Sequence, residues 1–137
     1  MKTLLLLAIL LAGCNSITPN GQTKEELLSG NTSKTWTTLS FKENSRAQDV
    51  IKDKGLTQTV TFRKDGTSET ITTDNNAISL VVSAKWAIKD TLLQFTETKI
   101  GLLSSPMLDE TYTIQELTST SLILTYKSSG RAEYKAQ

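Results

Sequence analysis

The side chains that could carry chemistry in this chain are few, and most are badly placed for it. Histidine is absent, which removes Ser-His and Cys-His nucleophilic pairs and the ordinary zinc sites. Ser83 and Lys85 share one face of a strand-like run and superficially offer a Ser-Lys dyad. A nucleophile-activating lysine has to be desolvated, however, and this one falls on the polar side. Asp49 and Asp53 stand at helical i, i+4 spacing, but Lys52 and Lys54 beside them make a solvated charged face the better reading than a metal site. Asp109 and Glu110 are sequence neighbours and point to opposite faces of a strand, so they do not work as a pair. No cofactor or metal-ligand set emerges, and the expectation is a protein that is not an enzyme.

One cysteine remains, Cys14, directly behind the apolar run Leu4 to Ala12 and the small residue Gly13. Nine apolar residues are too few to cross a bilayer, which takes roughly 20 as a helix. The run therefore reads as the apolar core of an export signal, with Lys2 as its basic lead. Leu11-Ala12-Gly13-Cys14 resembles the lipobox of bacterial lipoproteins. That resemblance implies cleavage before Cys14, acylation of its thiol and new amine by palmitate-like chains, and a membrane partner for those chains. It divides the chain into a signal peptide over 1–13, a lipidated cysteine and flexible tether over 14–22, and a folded domain over 23–137. Asn15 is not the aspartate that such lipoproteins use for inner-membrane retention, and no acidic cluster follows Cys14. The expected location is the outer membrane facing the periplasm, with the cell surface as the alternative.

The segment after Gly13 carries 14 basic and 14 acidic residues. Formal neutrality argues against nucleic acid and against a polybasic membrane patch, since both need clustered Lys and Arg.

The elements behind the tether begin with a capping box, Thr23-x-x-Glu26, followed by Leu27, Leu28 and the stop residue Gly30. This spacing predicts a short N-terminal helix whose leucines plug one end of the domain behind it. From Lys34 onward, threonine-rich segments of alternating polarity recur between turn signals, the pattern of an antiparallel all-β domain. Eight strands are expected: 35–41, 57–64, 67–73, 78–89, 91–98, 111–117, 121–127 and 132–136. Asp65-Gly66 is a strong hairpin signal between the second and third. In 78–89, Ile78, Leu80, Val82, Ala84, Trp86 and Ile88 are expected on the core face. Residues 45–55, with Ala47, Val50 and Ile51 before Gly55, read as a short helical connector. Eight meandering strands suit an up-and-down barrel, with a two-sheet sandwich as the rival.

The order of Gly30 and Trp36, then Phe62 with Asp65-Gly66, then Trp86, Asp90 and Leu93, then Leu117 and Leu122 flanking a turn, is similar to small lipocalin-like lipoproteins of the Bacteroidetes type. The resemblance spans most of residues 27–127 and implies a small lipocalin-like barrel. Trp36, Phe62, Trp86, Phe95, Tyr112 and Tyr126 could converge inside as a ligand pocket, although strands of about seven residues favour a filled interior. Between Thr67 and Thr73 only Ile71 is apolar, so any opening in the wall is expected there. The stretch 99–110 is unusually apolar for a loop, with Ile100, Leu102, Leu103, Met107 and Leu108. It reads as a lid over the open end or a contact surface. Two functions remain: a non-catalytic binding module for a small apolar or amphipathic ligand, and an accessory subunit docking on an envelope protein complex.

Overall fold

Thr23 does what its spacing to Glu26 calls for. In the computed structural model, which describes residues 21–101, 105–106, 109–127 and 129–137, its hydroxyl accepts from the Glu26 N–H. The Glu26 carboxylate accepts in turn from the Thr23 N–H, and helix α1 runs over Lys24–Ser29. So short a helix has little stability of its own, and side chains from the barrel satisfy its last carbonyls. Trp36 Nε1 donates to the Leu28 carbonyl at 2.9 Å. The Lys34 ammonium donates to Leu27 O at 2.9 Å and to Ser119 O at 2.6 Å, and lies 4.3 Å over the Trp36 ring. Burial there lowers the Lys34 pKa. Gly30, at φ 63°, ends the helix where a side chain would be strained.

Among the described residues, nine strands come after the helix: β1 (Ser33–Lys42), β2 (Thr57–Arg63), β3 (Thr67–Asp74), β4 (Ala77–Lys89), β5 (Leu92–Ile100), β6 (Ser105–Pro106), β7 (Glu110–Leu117), β8 (Ser121–Tyr126) and β9 (Gly130–Ala136). Antiparallel pairing runs β4-β3-β2-β1-β9-β8-β7-β5, and β4 pairs with β5 to close the ring. The result is an eight-stranded up-and-down barrel, with β6 a two-residue addition beside β5. Closure leaves no free sheet edge in the ring, which the sandwich alternative would have kept.

The barrel has two unlike ends. At one end the turns after β2, β4 and β7 gather around α1, and Lys24 Nζ donates to Asp90 O at 2.6 Å. Leu28 of the helix and Trp36, Leu93 and Leu122 of the barrel are fully buried together, with Phe62, Leu124 and Ala132 in the same core cluster. Among the described residues, every buried core residue and every strand of the ring lies between Leu27 and Ala136, so the closed barrel and its core fall within residues 21–137.

Two expectations are corrected at the other end. Residues 45–55 form turns rather than a helix. Their centre is Asp49, whose carboxylate is buried against the outer side of β1 instead of being solvated. It accepts from the Ser40 hydroxyl and from the backbone N–H groups of Phe41, Ile51 and Lys52. Burial opposes its ionisation, but these four donors outweigh it and hold the Asp49 pKa at about 2. The second correction concerns β4. A register shift between Thr72 and Thr73 pairs Thr72 with Leu80 and Thr73 with Ile78. The extra residue, Ser79, turns Ile78 off the core face, and it is 66% exposed.

Candidate functional site

Where α1 plugs one end, the opposite half of the barrel is hollow. A cavity of about 450 Å³ is lined by Phe41 and Glu43 of the first strand and its continuation, Gln58, Val60 and Phe62 of β2, and Ser68 and Thr70 of β3. Leu80, Val82 and Ala84 of β4, Phe95 and Thr98 of β5, Glu110 and Tyr112 of β7, Leu124 of β8 and Tyr134 of β9 complete the wall. This volume falls in the range of small-molecule sites. The interior is therefore half filled rather than filled throughout.

Residue size explains the hollow. Along β3 the inward positions are Ser68, Thr70 and Thr72, and facing them on β4 stand Ala84, Val82 and Leu80. All of these side chains are smaller than Trp36 and Trp86, which are buried at the plugged end. The sparse wall expected from 67–73 is thus one side of the cavity, and Leu80 is 40% exposed because it borders the open space.

A line of ring contacts runs along the other side. Trp86 meets Phe62 edge-to-face at 5.7 Å, Phe62 meets Phe95 at 6.0 Å, Phe95 meets Tyr112 edge-to-face at 5.8 Å, and Tyr112 meets Tyr126 at 5.1 Å. Of the six aromatic residues singled out in the sequence, Phe62, Phe95 and Tyr112 line the cavity. Trp36 is enclosed beneath α1, and Trp86 is 8% exposed with Nε1 donating to Arg63 O and Thr67 O, so both belong to the packed end and not to the pocket. Tyr126 touches Tyr112 without forming part of the wall. Ile100 pairs with Val82 and Ser105 at the end of β5. Leu102, Leu103, Met107 and Leu108 lie outside the described residues.

The polar groups of the wall are the ones that sequence reasoning missed. Thr38 donates to Gln58 Oε1 at 2.9 Å and Gln58 Nε2 donates to Thr72 at 3.0 Å, a closed chain across three strands. Tyr112 donates to Glu110 Oε2 at 2.7 Å, and burial together with that carboxylate pushes its phenol pKa far upward. Burial and the Glu110 charge do the same to Tyr134. Thr98 is 8% exposed, and its hydroxyl has no hydrogen-bond partner among the described residues. Ser83 and Lys85 are exposed on the outer face, where Lys85 pairs with Glu97 at 2.8 Å, so no dyad forms.

A family model described as lipocalin-like matches residues 45–137. The chain belongs to the lipocalin-like family. A lipocalin-like barrel is generally a binding fold and not a catalytic one, and its closed wall around one cavity is the geometry seen here. No curated protein matches the chain. In this lipocalin-like protein the arrangement suits reversible enclosure of a small amphipathic molecule, with apolar contacts from β2, β4 and β5 and polar groups toward β7 and β9.

Proposed function

We propose that this protein is a non-catalytic, lipid-anchored binding module of the bacterial envelope that encloses one small apolar or amphipathic molecule. The observation that carries the reading is the cavity, whose wall combines the apolar Val60, Phe62, Leu80, Val82, Phe95 and Leu124 with polar side chains that include Gln58, Thr98, Glu110 and Tyr112. Anchoring and the division into signal 1–13 and tether 14–22 rest on the Leu11-Ala12-Gly13-Cys14 segment, and a folded domain over 23–137 accords with the helix cap at Thr23. The outer membrane, periplasm-facing, is the proposed location, on the identity of Asn15.

Native mass spectrometry of residues 21–137 purified from an envelope-lipid-containing host tests the binding part. Retention of a small molecule by the wild type and its loss from Val82→Trp, which fills the cavity, is the expected result. A wild type that never retains a ligand from such extracts contradicts it. The accessory-subunit reading has its support in the exposed Ile78 and Leu39, apolar side chains on the outer face. Ile78→Lys that leaves binding intact but abolishes co-purification of an envelope protein would favour that reading.

A further inference from the structure

The cavity is chemically lopsided. Among the described residues that line it, Glu43 and Glu110 are carboxylates and none is basic. Lys127 stands near the same rim. Tyr126 and, more weakly, Glu110 and Glu43 raise its pKa, but its ammonium is exposed and lies 4.8 Å over the Tyr126 ring, outside the cavity wall. A carboxylate offers about four lone-pair sites, and Tyr112 occupies one of those on Glu110.

A second, independent observation comes from β5, the strand that pairs with the start of β7 at Glu110. The Thr98 hydroxyl is buried without a partner among the described residues and belongs to the cavity lining. Leaving a buried hydroxyl unpaired is costly, and a ligand's polar group would satisfy it. Apolar wall below, two carboxylates above and one unpaired hydroxyl beside them describe the complement of a particular kind of molecule.

We propose that the cavity selects amphiphiles whose polar head is a protonated amine. Glu43 and Glu110 take the ammonium, the Thr98 hydroxyl accepts one hydrogen bond from it, and Val60, Phe62, Val82 and Phe95 hold the hydrocarbon. Anionic amphiphiles such as carboxylates are rejected, because their head would meet the like charges of half-buried Glu110 and of Glu43 at the exposed rim. This specificity rests on the ligand-binding reading of the cavity.

Three probes with the same eight-carbon chain separate the two ideas: octylamine, 1-octanol and octanoate, titrated calorimetrically into residues 21–137 at neutral pH. Octylamine is expected to bind about tenfold or more tightly than octanoate, with octanol between them. The double variant Glu43→Gln, Glu110→Gln should bring the three affinities together while octanol binding stays within about twofold of wild type. Octanoate binding as tightly as octylamine overturns the amine proposal and leaves the binding module standing, as does a preference that survives in the double variant. If none of the three binds, the ligand-binding reading fails and this proposal fails with it. Should the double variant not fold, wild-type titrations at raised salt replace it: the octylamine preference must shrink, and a salt-independent preference overturns the proposal.

Discussion

Trp86 separates the packed end of the barrel from the hollow one, and truncating it measures how firmly. Its ring is 8% exposed, stands edge-to-face on Phe62 at 5.7 Å, and holds Arg63 O and Thr67 O through one N–H at 3.1 and 3.0 Å. Trp86→Ala removes the ring, opens a cavity under α1 and takes the indole donor from both carbonyls, of which Arg63 O keeps the Gly66 N–H. Large-to-small changes of this kind cost about 3–5 kcal/mol, against a total near 5–15 kcal/mol for a small domain. Trp86→Phe keeps most of the packing and loses the donor, for a cost of about 1–2 kcal/mol. Urea unfolding of residues 21–137 in both variants, followed by circular dichroism, reads these numbers. The ratio between them should be near three, with Trp86→Phe leaving octylamine affinity within about twofold because the indole is not part of the cavity wall. A Trp86→Ala loss below about 1 kcal/mol would refute the reasoning, since a ring truly packed under the plug cannot be deleted so cheaply.

Thr98→Val replaces an unpaired hydroxyl by a methyl of nearly the same shape, so the unliganded domain should gain about 1 kcal/mol in urea unfolding while octylamine binding weakens; a loss of stability would show that the hydroxyl is paired after all. The depressed Asp49 pKa makes it a group whose stabilising contribution is complete above the ordinary value of 3.8 and is lost as pH falls toward about 2. Asp49→Asn should therefore lower stability at neutral pH and flatten the acid side of the stability profile, and an unchanged profile would contradict the four-donor site. A methyl on Gly130 would lie 2.7 Å from Glu43 O and 2.8 Å from Tyr126 O, both backbone atoms. Gly130→Ala should cost about 1–3 kcal/mol by calorimetry. Cys14→Ala should abolish acylation and release the protein from membranes on fractionation; a variant that stays acylated and bound defeats the lipobox reading.

The barrel was legible because strict alternation and turn residues specify strands locally: 57–64, Asp65-Gly66 and 67–73 read as a hairpin and form one. What alternation cannot show is the phase change at a bulge. Glu97 sits at φ 50°, and the register between β4 and β5 shifts between Ser83 and Lys85, so Thr98 rather than Glu97 turns inward. The same happens at Leu39, after which Phe41 and Glu43 face the cavity and Ser40 faces Asp49. Glu110 did carry a signal, since it precedes Tyr112 by two and shares its face. An alternating pattern that starts at Thr111 leaves it out, because β7 begins one residue earlier. Asp49 gave none, because four donors converge on it only once residues 45–55 fold back on β1. Whether the aromatic set packs or lines a pocket depended on α1 occupying one end, which no spacing between the aromatics encodes.

The plug also orients the molecule. On the proposed anchoring, the seven links from Cys14 to Gly21 reach at most about 25 Å, and they join the barrel on the α1 side. The wall between the two ends follows β4, whose 13 residues, tilted as barrel strands are, give a height on the order of 30 Å. On that anchoring, an upright barrel on so short a leash would have its mouth turned away from the bilayer. Cargo would then be exchanged across the aqueous gap, with whatever stands opposite, and not drawn sideways out of the anchoring leaflet.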